Sequence, residues 1–113
     1  MEPSLQPHDP LSQVVFIHDY VQLVFQDCAF TLYNLAIYTA GDTTLTQGQV
    51  GFCDALVSLI GQEVRVRVLP GQLSLHFSNG AAVSIASTGT TARGPDAWQF
   101  GQLGGAVVVE QNA

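Results

Sequence analysis

The chain has 113 residues, 47% of them hydrophobic, a length and composition suited to one domain with a real core. Three Lys+Arg, all of them arginine, stand against nine Asp+Glu for a formal charge of -6, so the basic stripe that nucleic acid or an anionic membrane surface requires is missing. Charged residues make up only 11%, against roughly 25% in ordinary soluble domains, so the exterior rests on Gln, Ser and Thr and favours self-association as a homo-oligomer, a dimer or larger.

Met1-Glu2-Pro3-Ser4 carries an acid where a secretory signal carries cations, and no long apolar run follows, so the expected setting is cytoplasmic and away from membranes. Residues 1–12, with three prolines, read as a flexible leader, and 13–113 as a single domain. From Val14 the period is two. Val21, Leu23 and Phe25 form one stripe, and Phe30 and Leu32 continue it beyond Asp27-Cys28. A two-residue Asp27-Cys28 turn predicts Phe25 opposite Phe30 and Leu23 opposite Leu32.

The polar stretch 40–49, with Gly41, Asp42 and a threonine cluster, reads as a loop. Phe52, Leu56, Leu59 and Ile60 then recur at helical spacing before Gly61, which predicts a helix over about 51–60 with Cys53 near its start as a small core residue. Next, Val64, Val66 and Val68 alternate with Arg65 and Arg67 up to Pro70-Gly71, a turn that pairs Val68 with Leu73, Val66 with Leu75 and Val64 with Phe77. The same register sets Arg67 opposite Ser74 and Arg65 opposite His76 on the outward face. Ser78-Asn79-Gly80 is a three-residue turn with Gly80 in the left-handed region, which sets Leu75 opposite Val83 and Leu73 opposite Ile85. Residues 87–91 read as a loop and Arg93-Gly94-Pro95-Asp96 as the opening of a turn carrying Ala97, Trp98 and Phe100. Val107 to Val109 reads as a last strand. A fainter echo, Val21-x-Leu23-x-Phe25-x-Asp27 and Leu73-x-Leu75-x-Phe77-x-Asn79, recurs at an offset of 52.

These elements predict an α+β fold: a mostly antiparallel curved sheet of about six strands, rolled toward a half-barrel, with one helix on its inner face. The histidines at 8, 18 and 76 lack ligand spacing, and no phosphate-loop or dinucleotide pattern is present, so no metal and no cofactor is expected. Cys28, placed in a turn, and Cys53 are expected as free thiols. His18-Asp19 reads as a polar pair at a strand end. Arg65, Arg67, Ser74 and His76 are the first candidate ligand-binding set, because guanidinium forks suit carboxylates and phosphates; a solvated sheet face is the plainer alternative. Asp96 and Trp98 are the second candidate, with Trp98 as a core plug its plainer alternative. No catalytic set emerges, since nothing places a nucleophile, a base and an orienting group together.

The stretch from Leu73 to Ile85 followed by Gly94-Pro95-Asp96-Ala97 resembles small uncharacterised bacterial proteins, some encoded beside toxin genes and suspected of immunity-like roles. The likeness spans about a third of the chain, with Asn79 before Gly80 and Asp96 standing where that family more often has acid and Glu. It implies a non-enzymatic protein-interaction module of the inhibitor or immunity type and supplies no catalytic residues. The alternative from the residues themselves is a small anionic-ligand binder using the Arg65/Arg67/His76 face.

Overall fold

The computed structural model describes residues 5–89, 94–105 and 107–113. They form ten strands and one short helix: β1 (Gln13–Ile17), β2 (Tyr20–Val24), β3 (Cys28–Leu32), β4 (Ile37–Ala40), β5 (Thr43–Thr46), α1 (Phe52–Val57), β6 (Val64–Leu69), β7 (Gln72–Phe77), β8 (Ala82–Ala86), β9 (Asp96–Gln102) and β10 (Val107–Gln111). The strands make two antiparallel five-stranded sheets, A in the order β1-β2-β3-β9-β10 and B in the order β5-β4-β8-β7-β6. This corrects the α+β reading with about six strands and a half-barrel. Ala97, Trp98 and Phe100, expected on a turn, lie on strand β9, and two further sources add to the difference. The threonine cluster expected as a loop is strand β5, where β-branched side chains fit the pleat beside the tight Gly41-Asp42 turn. The period-two alternation reports which face a residue takes but not which of two sheets it joins.

The helix is also shorter than its apolar spacing suggests. Ala55 and Ser58 donate to carbonyls four residues back, at Gly51 and Asp54, but Leu59, Ile60 and Gln62 donate only three back, so the chain tightens while Leu59 stays buried. With Phe52 and Leu56, this segment seals the core beside β1 and β4. One continuous core joins the sheets: Val21, Leu23, Phe30 and Phe100 from sheet A meet Leu73, Leu75, Val83 and Ile85 from sheet B. Each such side chain contributes on the order of 1.5–3 kcal/mol by leaving water.

The two sheets repeat one plan. A three-strand meander (β1–β3 or β6–β8) is followed by a hairpin (β4–β5 or β9–β10) that crosses and pairs with the last meander strand of the other sheet. The registers repeat too. Gln13↔Val24 in β1–β2 returns as Arg65↔His76 in β6–β7, Val14↔Leu23 as Val66↔Leu75, and Ile17↔Tyr20 as Leu69↔Gln72. The offset of 52 seen in the sequence is therefore a structural repeat of the whole meander rather than of one stripe. The second meander has one extra residue in its second turn. Phe25 N–H donates to Cys28 C=O across Gln26-Asp27, whereas Phe77 N–H donates to Ala81 C=O across Ser78-Asn79-Gly80, with Gly80 at φ 92°.

The β6–β7–β8 pairings match expectation position by position. The β2–β3 register does not: Leu23 faces Phe30 and Val21 faces Leu32, because the turn is Gln26-Asp27 rather than Asp27-Cys28. A slip of two keeps every side chain on its face, so the core stripe survives. Cys28 consequently leaves the turn and is buried in β3, while Cys53 is exposed on α1, the reverse of the sequence expectation; both are free.

Candidate functional site

The outer face of sheet B carries the first candidate set. Arg65 faces His76 and Arg67 faces Ser74 across the β6–β7 ladder, and on the other side of β7 Ser74 faces Ser84 and His76 faces Ala82. Both arginines and His76 are exposed, and Ser74 is buried beneath them. The cations thus stand at one border of a floor of small side chains, with Ile37 and Thr39 of β4 beyond it.

Ser74 Oγ lies 2.9 Å from His76 Nε2, two residues along one strand and on one face. A hydroxyl paired with an imidazole is the beginning of an acyl-transfer site, but the rest of the requirement is not met here. On an inner strand such as β7 the backbone N–H groups are committed to β6 and β8, so they cannot converge on an oxyanion above the face. The pair orders His76 instead.

Beside this face, an open hollow of about 650 Å³ runs between the N-terminal segment and the edge of sheet B, lined by Gln6, His8, Asp9, Glu63, Arg65 and His76 among others. Its walls carry both signs of charge. Gln6 fixes the segment with its side-chain amide: Oε1 accepts from Val66 N–H at 3.0 Å and Nε2 donates to Val64 C=O at 2.5 Å, as a neighbouring strand would. Farther on, Leu11 is 1% exposed and exchanges backbone bonds with Gly61 and Gln62. Sequence reading missed Gln6, His8, Asp9 and Glu63 as neighbours of the arginines. Gln6 lies nearly sixty residues from its partners, and nothing local marks so distant a contact.

The second candidate pair is divided. Trp98 is a core residue of β9 opposite Leu32, 3% exposed. Asp96 instead lines a separate hollow of about 280 Å³ with Asp19, Tyr20 and Tyr33, whose rings lie 5.4 Å apart. His18 and Asp19 form the β1–β2 turn. Arg93, which the sequence places in the Gly-Pro turn, and the end of the 87–91 loop lie outside the described residues. Among the described residues no cluster of three His, Cys, Asp or Glu could hold a metal ion, and no helix is long and apolar enough to cross a membrane.

Burial first, and the neighbouring Asp27 carboxylate second, push the Cys28 thiol up to about 12, which makes it a poor nucleophile. No family model, no curated protein and no solved structure matches the chain.

Proposed function

We propose that this protein is a non-enzymatic protein-interaction module, of the inhibitor or immunity-like kind, whose recognition face is the outer face of sheet B and whose partner presents acidic groups. The observation that carries this reading is the contrast between the two repeats. Arg65, Arg67, Ser74 and His76 occupy the register positions that Gln13, Val15, Gln22 and Val24 occupy in sheet A. The same backbone frame therefore bears cations on one outer face only, in a chain with a formal charge of -6. Exposed guanidinium groups on a sheet face suit carboxylates held by another macromolecule, and such complementarity sets partner choice and association rate more than raw affinity.

The test is an array of immobilised peptides of varied charge, probed with the parent and with the double variant Arg65→Ala/Arg67→Ala. Retention should concentrate on Asp- and Glu-rich peptides and be lost in the variant. Retention indifferent to peptide charge, or unchanged in the variant, contradicts the proposal.

A small carboxylate or phosphate in the 650 Å³ hollow is the second reading, favoured by Arg65 and His76 lining it. Asp9 and Glu63 in the same walls weigh against it, because carboxylates lining the hollow repel a small anion. Titration with inorganic phosphate separates the two: saturable binding lost in Arg65→Ala supports the small-anion reading. Two free thiols support a reducing, cytoplasmic setting. Self-association is assigned to the opposite surface, since Gln13, Val15, Ile17, Tyr20, Gln22 and Val24 give the outer face of sheet A no charge across β1 and β2.

A further inference from the structure

Strand β6 is an edge strand, and at six residues it is, among the described residues, the longest of the four that border the two sheets. The Gln6 bonds identify the backbone groups that point away from β7 as those of Val64 and Val66, and by the two-residue repeat of an antiparallel ladder those of Val68 as well. Among the described residues, the N-terminal segment bonds only to the first of these positions. Pro7 and Pro10 have no N–H to offer a ladder, which is why a side-chain amide serves there. Val66 C=O and both backbone groups of Val68 lie farther along the same edge.

The side chains at that end point to an occupant. Val68 faces the buried Leu73 yet is 51% exposed, so the core-side row of the sheet ends on an uncovered apolar position. Arg65 and Arg67 project on the opposite face. A second copy of the chain pairing through β6 brings Arg65 and Arg67 of one copy beside those of the other, and like charges across a strand pair are destabilising. A strand with carboxylates in the outer row and apolar side chains in the inner row satisfies both faces. We propose that the β6 edge takes up an extended partner segment of alternating acidic and apolar residues by strand addition, a mode that rests on the reading of the arginine face as the recognition surface.

The experiment uses the full chain and three synthetic peptides: Val-Glu-Val-Glu-Val, Val-Lys-Val-Lys-Val, and the glutamate peptide N-methylated on the residues that would face β6. Isothermal titration should show the glutamate peptide binding at least about tenfold more tightly than the lysine peptide, since two cross-strand pairs change from attractive to repulsive. N-methylation should abolish binding. Val68→Pro removes an outward N–H without touching the β7 ladder, a position where an edge strand accepts proline, and should weaken the glutamate peptide by about tenfold. Binding of the glutamate peptide that withstands both N-methylation and Val68→Pro overturns strand addition and leaves the arginine-face reading standing. Equal or absent binding of the glutamate and lysine peptides overturns both.

Discussion

Arg65 and His76 face each other across β6 and β7, and the two residues in their places in the repeated meander, Gln13 and Val24, face each other in the same way across β1 and β2. Inner positions related by this repeat stay apolar: Val14 and Val66, Leu23 and Leu75, Phe25 and Phe77. Their outer neighbours differ in charge. The demands of packing explain the first set, and only the second set distinguishes what the two faces can bind.

The thiols should differ sharply in reactivity. Iodoacetamide at neutral pH should label the exposed Cys53 and spare Cys28, whose thiol is held up to about 12 by burial and then by Asp27. Because folding raises the Cys28 value above that of the unfolded chain, its stabilising contribution is whole below the ordinary value of 9.0 and is lost as pH climbs toward 12. Urea midpoints should therefore fall with pH across that window in the parent and fall less in Cys28→Ala. Peptide mapping that finds equal labelling of both cysteines contradicts the assignment.

The turn at 78–80 carries the β7–β8 register, which places His76 beside Ala82 and Ser74 beside Ser84. Gly80 has φ 92°, and Asn79 Oδ1 accepts from Ala81 N–H at 3.0 Å. Gly80→Val should cost roughly 1–2 kcal/mol through its left-handed backbone, while Asn79→Asp keeps an acceptor and should be nearly neutral. Thermal unfolding of the two variants against the parent checks this, and an unchanged Gly80→Val is the contrary outcome.

How much of this was readable in advance divides along a physical line. Alternation in Val64–Val68 and Leu73–Phe77, with turn chemistry at Pro70-Gly71 and Gly80, specified local register, and the Arg65–His76 and Arg67–Ser74 pairings follow from it. Contacts made far along the chain left no such mark. Asn34 is fully buried in the crossover from β3 to β4. Its Nδ2 reaches Ala86 C=O at 2.7 Å and Asn112 Oδ1 at 2.6 Å, tying both sheets to the C-terminal end, and nothing in Leu32-Tyr33-Asn34 announces that role. The second sheet escaped for the same reason, since its assembly requires hairpins to join distant partners. Cys28 was misplaced by a shorter-range ambiguity: Gln26-Asp27 and Asp27-Cys28 are both admissible two-residue turns, and the choice between them decides whether the thiol is in solvent or in the core.

Self-association should depend on the uncharged outer face of sheet A. Light scattering at micromolar concentration should give at least twice the chain mass for the parent and a single chain mass for Val15→Glu/Val24→Glu, two half-buried positions on that face. A parent that scatters as a single chain, or an oligomer indifferent to these charges, removes the assignment.

We propose that the outer face of sheet B, and not its counterpart on sheet A, recognises acidic groups. The repeat supplies an internal control, because the two faces share a backbone frame and differ in side chains. The direct measurement is a two-dimensional NMR titration of the isotope-labelled full chain with the Val-Glu-Val-Glu-Val peptide. Saturable shifts are expected at Arg65, Arg67, Ser74 and His76, with Gln13, Val15, Gln22 and Val24 unmoved. Shifts of equal size on both faces, or confined to sheet A, would contradict it.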